Sequence, residues 1–251
     1  MREIFIHIGP HKTGTKSLQS FLRDNLDIIQ TQYHVPVTSV ISKDNINHAN
    51  LFWELSEPKD IRFNENIGNY DQFLTEIKNS SKNVLLSSEA FSFIFTDAKL
   101  NKKFISDLKK LNFKINLIIF VRNDIFQFNS LLNLLMKSNH TNQVKKYSFF
   151  YSLFNLFISG KIKNYMFNQV GNYYFYISHK LLIKDIKSKS VDVKILEIKF
   201  NKNFIENFLN VLRLNKKDFF LNKTIHKNKS KKKTFLVFIG FFFYLKNLFH
   251  L

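Results

Sequence analysis

The chain has 251 residues, of which 45% are hydrophobic and 16% aromatic. This length and composition indicate one globular domain with a full-sized core and exclude a disordered chain. The chain contains no cysteine, which excludes disulfides, a thiol nucleophile and Cys-ligated zinc, and which suits a reducing compartment. The formal charge is +19, but the basic residues are scattered apart from one C-terminal cluster. We therefore expect anionic small ligands and no nucleic-acid partner.

The first predicted element is a short buried strand over the apolar run from Ile4 to Ile8. A basic turn follows at Gly9-Pro10 and leads into apolar side chains at helical spacing: Leu18, Phe21, Leu22, Leu26 and Ile29. A strand, a glycine-containing turn and a helix N-terminus together form a phosphate-binding geometry, because the first N–H groups and the helix dipole favour an anion. Since the strand begins close to Met1, we expect no signal peptide and no N-terminal membrane anchor.

Strand and helix patterns alternate along the rest of the chain, which predicts an α/β fold with a largely parallel sheet. Ligands of such folds bind at the carboxyl ends of the strands, and here those ends carry Glu89 and Arg122 as well as the basic turn. The predicted elements are an extended segment at 33–40, two helices within 42–82, strands at 83–87 and 115–121 separated by an amphipathic helix, a helix after Arg122, a helical region at 141–186, a strand at 191–198 and a helix at 204–212.

The C-terminal end has a different composition from the rest of the chain. A basic run at 227–233 precedes eleven almost uninterrupted apolar residues from Phe235 to Leu245. A membrane-spanning helix needs about 20 apolar residues. The segment is therefore predicted to be either an interfacial helix on an anionic membrane surface or a terminal helix that docks on protein. We divide the chain into a domain at 1–225 and a tail at 226–251.

The basic turn matches the nucleotide-binding P-loop, Gly-x4-Gly-Lys-Ser/Thr, only in part. Gly9 and Gly14 have the required separation, but Thr15 stands at the position of the lysine, and Lys16 comes one residue late. One residue along a helix turns a side chain by about 100°, here away from a bound phosphate. Lys12, inside the turn, is the better-placed cation. A P-loop kinase of a small molecule stays open as an alternative, as does a basic turn without a ligand.

The run from His11 to Gln19, His-Lys-Thr-Gly-Thr-Lys-Ser-Leu-Gln, resembles the 5′-phosphosulfate loop of sulfotransferases that use 3′-phosphoadenosine 5′-phosphosulfate (PAPS). It is most similar to the loop of bacterial carbohydrate-type members. Their second landmark is a strand ending in Arg with a Ser eight residues on, and Arg122 and Ser130 stand at that spacing. A third similarity is Ser87-Ser88-Glu89, where such enzymes carry an acidic catalytic base.

The resemblance implies a three-layer, P-loop-like α/β fold and the transfer of a sulfuryl group from PAPS to a hydroxyl of a carbohydrate or cell-surface glycan. Lys12 would stabilise the charge that develops on the leaving phosphate, and Glu89 would accept the proton of the acceptor hydroxyl. His48 is a secondary candidate for contact with the acceptor, with a structural role as the alternative. The residues implied to bind the phosphates of the donor are His11, Lys12, Thr13, Gly14, Thr15, Lys16, Ser17, Arg122 and Ser130.

The sequence departs from the family pattern at Lys16, where related sulfotransferases usually have Thr or Ser. A catalytically degenerate nucleotide-binding relative is therefore a third alternative. Sulfuryl transfer needs no metal, and no Asp or Glu pair in the sequence is spaced like a Mg²⁺ site. We expect a cytoplasmic protein that contacts the inner membrane face, if at all, through its C-terminal tail.

Overall fold

A computed structural model describes residues 1–9, 13–42, 44–57, 59–124, 127, 130, 161–163, 174–176, 178–190 and 192–220, with only the backbone described at 161–163, 174 and 175. The strands are β1 (Arg2–His7), β2 (Tyr33–His34), β3 (Asn83–Ser87), β4 (Phe113–Val121), β5 (Lys161–Lys163), β6 (Tyr174–Tyr176) and β7 (Lys194–Lys199). The described helices are α1 (Thr15–Asp24), α2 (Leu26–Gln32), α3 (Ala49–Leu55), α4 (Tyr70–Asn79), α5 (Phe91–Thr96), α6 (Ala98–Lys110), α7 (His179–Lys189) and α8 (Phe204–Val211).

Five of the strands form an all-parallel sheet in the order β2-β3-β1-β4-β7. The three inner strands are β3, β1 and β4, and the middle of each is an apolar run, as burial on both faces of the sheet requires. Ile4 of β1 pairs with Val84 of β3 on one side and with Ile115 of β4 on the other. The predicted strands at the N-terminus, at 83–87, at 115–121 and near 194 are therefore confirmed.

Helices cover both faces of this sheet, so the fold is a three-layer α/β architecture, as predicted. Side chains alternate between faces along β1: Ile4 and Ile6 belong to one buried cluster and Phe5 to the other. Helices α1, α2 and α8 pack on the face of Phe5, whereas α3 to α7 pack on the face of Ile4. Because the helices that follow β1 and β3 lie on opposite faces, a crevice is expected beside the carboxyl end of β1.

Two sequence-based expectations are corrected by the structure. The region at 141–186 is not uniformly helical, since β5 and β6 pair as an antiparallel two-stranded ladder before α7 begins at His179; the other parts of this region lie outside the described residues. The ladder depends on pairing between segments that are distant in sequence, which helical periodicity does not reveal. Helix α5 was not predicted, because all six of its residues are buried and it has no polar face.

The capping chemistry of the helices agrees with their positions. Helix α4 begins with a capping box, in which Asn69 and Gln72 each accept a backbone N–H of the other. At the start of α6 the carboxylate of Asp97 accepts the N–H groups of Lys99 and Leu100. In contrast, α1 follows Gly14 and has no side-chain cap. The first backbone N–H groups of α1 therefore have no acceptor from an N-cap side chain.

The predicted C-terminal tail at 226–251 lies outside the described residues. Within the part of the chain that the structure describes, no helix is both long and apolar enough to cross a membrane.

Candidate active site

Helix α1 starts directly behind the basic turn, at the carboxyl end of β1. The first main-chain bond of the helix runs from the N–H of Leu18 to the carbonyl of Gly14, at 3.1 Å. The N–H groups of the residues before Leu18 therefore have no acceptor within the helix. No acidic side chain lies in this first turn. The start of α1 consequently presents the positive end of the helix dipole to a ligand, as the sequence predicts for a phosphate-binding turn.

Gly14 holds a position that only glycine fits. Its φ of 88° lies in the left-handed region, where a side chain is strained. A Cβ at this position would also lie 2.0 Å from Cε2 of Phe200, so the Phe200 ring packs directly on the glycine. Phe200 follows β7, and its N–H donates to the carbonyl of Val121 at the end of β4, at 2.7 Å. The loop is thus held against the ends of two other strands.

The same Phe200 ring also contacts Arg122, the residue that follows β4. The guanidinium carbon lies 5.6 Å from the ring centroid. Nη1 of Arg122 donates to Oγ of Ser130 at 3.3 Å, so the two residues that were paired from their spacing are neighbours in space. Burial lowers the pKa of Arg122, which remains a cation at neutral pH. A half-buried guanidinium and a hydroxyl thus lie near the Phe200 ring that packs on Gly14 at the start of α1.

The buried imidazole of His7 is a neighbour of the loop that the sequence analysis missed. Its Nδ1 lies 3.0 Å from Oγ of Ser87 on β3, and its ring packs 4.7 Å from the Phe120 ring, between centroids. Nε2 has no hydrogen-bond partner among the described residues, and neither does Oγ1 of Thr15. A Cβ on Gly9 would lie 2.9 Å from that Nε2 and 2.8 Å from that Oγ1. A histidine at the end of an otherwise apolar strand is the sequence signal for this residue.

The end of β3 carries Glu89 to the same edge of the sheet. The N–H of Ser88 donates to the carbonyl of His7 at 3.0 Å, which fixes the end of β3 to the end of β1. The side chain of Glu89 is half-buried. The backbone carbonyl of Glu89 accepts a hydrogen bond from the hydroxyl of Ser92 at 2.7 Å, near the start of α5. The predicted base, the arginine and the phosphate-binding turn therefore lie at one edge of the sheet.

His48 is fully buried and engaged with the main chain. Its Nε2 lies 3.0 Å from the carbonyl of Pro36, and its Nδ1 lies 3.3 Å from the N–H of Ser87. Burial lowers the pKa of its ring, although the hydrogen bonds to Pro36 and Ser87 oppose this effect. The ring joins the segment after β2 to the end of β3. This geometry favours the structural role over contact with an acceptor.

The other predicted loop residues differ in exposure. Thr13 and Thr15 are buried, Ser17 is half-buried, and Lys16 is exposed on the surface of α1. The exposure of Lys16 fits its position one residue beyond the lysine of a P-loop, where the side chain turns away from the loop. The two remaining predicted residues, His11 and Lys12, lie outside the described residues.

A carboxylate–histidine pair also lies at this edge, and sequence reasoning missed it. Oδ1 of Asp124, two residues after Arg122, lies 3.5 Å from Nδ1 of His179 at the start of α7. Burial raises the pKa of Asp124, and the charge of His179 opposes that shift. These residues are far apart in sequence, so only the tertiary structure brings them together. Among the described residues, no group of three or more His, Cys, Asp or Glu side chains is arranged to hold a metal ion.

The fold and this edge define the class of the protein: a three-layer α/β protein with an uncapped, glycine-preceded helix N-terminus beside a half-buried arginine. No protein-family model matches the chain, and no curated protein matches it either. A solved structure from the characterization of the PezAT chromosomal toxin-antitoxin system of Streptococcus pneumoniae is similar at 12% identity and a TM-score of 0.40. The similarity covers 99% of this chain and 88% of that chain. A TM-score this low carries no argument about function.

Proposed function

We propose that the protein is a sulfotransferase that moves a sulfuryl group from PAPS to a hydroxyl of a carbohydrate or cell-surface glycan. The observation that carries the proposal is the arrangement around Phe200. Its ring packs on Gly14 at the start of α1, and the guanidinium of Arg122 lies 5.6 Å from the ring centroid. Two separate groups suited to anions, a helix N-terminus and an arginine bonded to Ser130, thus flank one side chain.

Two anion-binding groups suit a nucleotide with phosphates at both its 5′ and 3′ positions. The start of α1 would bind the 5′-phosphate through backbone N–H groups, as helix N-termini bind phosphates. The planar guanidinium of Arg122 would donate two parallel hydrogen bonds to the 3′-phosphate, with the Ser130 hydroxyl holding it in place. A nucleoside triphosphate has no 3′-phosphate, so a kinase has no use for this second group. The arrangement therefore favours PAPS over ATP as the substrate.

Glu89 and Lys12 would carry the chemistry. Glu89 follows β3, whose end the Ser88–His7 hydrogen bond ties to β1, and we assign to its carboxylate the role of accepting the proton of an acceptor hydroxyl. Lys12 would stabilise the negative charge that builds up on the leaving phosphate, an interaction stronger in the transition state than in the ground state. Such a group typically contributes on the order of 10²–10³ to the rate.

Calorimetric titration with adenosine 3′,5′-bisphosphate, in the absence of Mg²⁺, tests the nucleotide assignment. The wild-type protein should bind it, and Arg122→Met should weaken binding by about 10- to 100-fold, as the loss of a charged hydrogen bond predicts. Arg23→Met is the matched control, since Arg23 is an exposed arginine at the far end of α1; its loss should change affinity by no more than about twofold because solvent screens it. Preference for ATP with Mg²⁺, or equal effects of the two variants, would support the kinase or a degenerate relative instead.

Transfer from radiolabelled PAPS to host cell-envelope glycans tests the catalytic roles. Lys12→Ala and Glu89→Gln should each lower turnover by about 10²–10³-fold. Glu89→Gln should also keep its affinity for the bisphosphate within about threefold of the wild type. Unchanged turnover in both variants eliminates the assigned roles.

We also propose that the enzyme acts in the cytoplasm, with its C-terminal tail on the inner membrane face. The basic run at 227–233 and the aromatic segment after it have the composition of an interfacial helix on anionic lipid. Sedimentation with anionic and with neutral vesicles distinguishes this arrangement from docking on protein. Binding to anionic vesicles that is lost on deletion of 226–251 would support the membrane contact, and no binding to either would refute it.

A further inference from the structure

The imidazole of His7 is buried completely, yet only one of its two nitrogens has a partner among the described residues. Nδ1 lies 3.0 Å from the hydroxyl oxygen of Ser87, whereas Nε2 has no hydrogen bond. Leaving a buried polar group without a hydrogen bond is unfavourable, and such groups are uncommon in native structures. The free nitrogen of His7 therefore requires an explanation.

The free nitrogen lies at the phosphate-binding turn. Nε2 of His7 and the hydroxyl oxygen of Thr15, the first residue of α1, both lie close to Gly9. A Cβ added to Gly9 would be 2.9 Å from Nε2 and 2.8 Å from the hydroxyl oxygen. The Thr15 hydroxyl is also buried and has no partner in the described part of the chain. Two buried polar groups without partners in the described part of the chain, one from β1 and one from α1, thus lie together beside Gly9 at the start of α1.

The contact between Nδ1 of His7 and the Ser87 hydroxyl links the direction of that hydrogen bond to the nitrogen that carries the ring's proton. Burial lowers the pKa of His7 to about 3, so the ring is neutral at physiological pH and one nitrogen donates while the other accepts. If the Ser87 hydroxyl donates to Nδ1, the proton of the ring must be on Nε2, on the side of the turn. A neutral imidazole in this state presents an N–H donor to an anion.

We propose that His7 binds a phosphate oxygen of the nucleotide through Nε2–H, together with the hydroxyl of Thr15, and that Ser87 acts as a positioning residue by holding the ring in this tautomer. The inference rests on the proposed function for the identity of the nucleotide, but not for the presence of an anion site. It also connects the two sides of the reaction, because Ser87 is the last residue of β3 and lies two residues before Glu89.

The conservative variants of His7 separate its two nitrogens. His7→Gln keeps a donor near the position of Nε2, His7→Asn keeps a polar group near Nδ1 only, and His7→Phe keeps neither. We expect His7→Phe and His7→Asn to weaken the binding of adenosine 3′,5′-bisphosphate by about 10- to 100-fold, and His7→Gln to retain most of the affinity. His34→Gln is the matched control on edge strand β2 and should bind as the wild type does. Thermal unfolding establishes that each variant is folded.

Ser87→Ala tests the positioning role without changing the anion contact. In the wild-type background it releases the proton to move to Nδ1, so Nε2 becomes an acceptor that repels an anion, and affinity should fall by about tenfold. In the His7→Gln background the same substitution should have no effect, because no tautomer remains to be fixed. The imidazole ¹⁵N shifts give a direct readout: the free protein should show a protonated Nε2, and the ligand should shift that signal.

Each titration uses inorganic phosphate as well as the bisphosphate, which separates this inference from the proposed function. If phosphate binds and the His7 and Ser87 variants weaken it as expected, while the bisphosphate binds no better, the anion site stands and the sulfotransferase assignment fails. If the bisphosphate binds the wild-type protein and His7→Phe with equal affinity, the inference fails and the assignment stands. Equal effects of Ser87→Ala in both backgrounds also overturn the inference. A wild-type protein that binds neither anion refutes both.

Discussion

Replacing Gly14 by alanine should destabilise the protein and disrupt the proposed anion site together. Two independent penalties act at this position. The φ of 88° is a left-handed conformation, which costs a residue with a Cβ about 1–2 kcal/mol. The added Cβ would also lie 2.0 Å from Cε2 of Phe200, and overpacking of this kind typically costs about 1–3 kcal/mol. The expected loss in the free energy of unfolding is therefore about 2–5 kcal/mol.

A double-mutant cycle with Phe200→Ala separates the two penalties. Removing the ring relieves the steric contact but leaves the backbone conformation unchanged, so Gly14→Ala should cost only about 1–2 kcal/mol in that background. Urea denaturation followed by circular dichroism gives the four free energies of unfolding. A cost below about 0.5 kcal/mol in the wild-type background, or the same cost in both backgrounds, would contradict the geometry described for the start of α1.

Gly68 provides a matched control for the functional part of this prediction. Its φ of 95° is also left-handed, and a Cβ there would lie 2.5 Å from the Thr38 side chain, away from the anion site. Gly68→Ala should therefore destabilise the protein to a similar extent and leave the affinity for adenosine 3′,5′-bisphosphate unchanged. Gly14→Ala should lower that affinity at temperatures where both variants are folded. Equal loss of binding in both variants would mean that instability alone weakens binding.

Three further predictions concern buried polar groups. Burial lowers the pKa of His7 from 6.5 to about 3, so between these pH values the unfolded chain binds a proton at this ring and the folded chain does not. Stability therefore decreases as pH falls from 6.5 towards 3, and His7→Phe should reduce the slope of the unfolding free energy in this range by about 1.4 kcal/mol per pH unit. Burial would raise the pKa of Glu76, but hydrogen bonds from His34 and from the segment after β2 outweigh it and lower the pKa from 4.5 to about 2. The ionised Glu76 side chain thus contributes roughly 2 kcal/mol of stability, which the wild type loses as pH falls from 4.5 towards 2 and which Glu76→Gln should lack at every pH. Urea denaturation at several pH values measures this difference. The same dependence of the unfolding free energy on pH in both proteins would contradict it. Finally, the Tyr33 hydroxyl donates to the carbonyl of Leu212 at 2.5 Å, so Tyr33→Phe should cost about 1–2 kcal/mol, and an unchanged midpoint would refute the bond.

The sequence was informative wherever a periodic pattern and a short motif coincide. The apolar runs of β1, β3 and β4 and the helical spacing of α1 and α6 gave an α/β fold with a parallel sheet, because burial on both faces requires continuous apolar strands. The spacing of Arg122 and Ser130 predicted two residues whose side chains do meet, at 3.3 Å. The two positions are only eight residues apart, so this contact is local in sequence.

Contacts between segments that are distant in the chain could not be predicted from the sequence. Phe200 follows the last strand of the sheet, and nothing in its neighbours predicts that its ring covers Gly14 or contacts Arg122. The pair of Asp124 with His179 was missed for the same reason. In both cases the partners are far apart in the chain, and local patterns do not show which distant segments meet.

The proposed phosphate-binding turn shows both contributions at one position. The amino-acid sequence by itself determined that a strand, a glycine-containing basic turn and a helix follow one another, since apolar periodicity and glycine act locally. Only the tertiary structure decided what surrounds that turn: the parallel register of β1 with β3 places Ser87 beside His7, and β7 beside β4 places Phe200 over Gly14. The physical reason is that burial and hydrogen bonding of these side chains depend on partners that the fold supplies, from strands far apart in the chain.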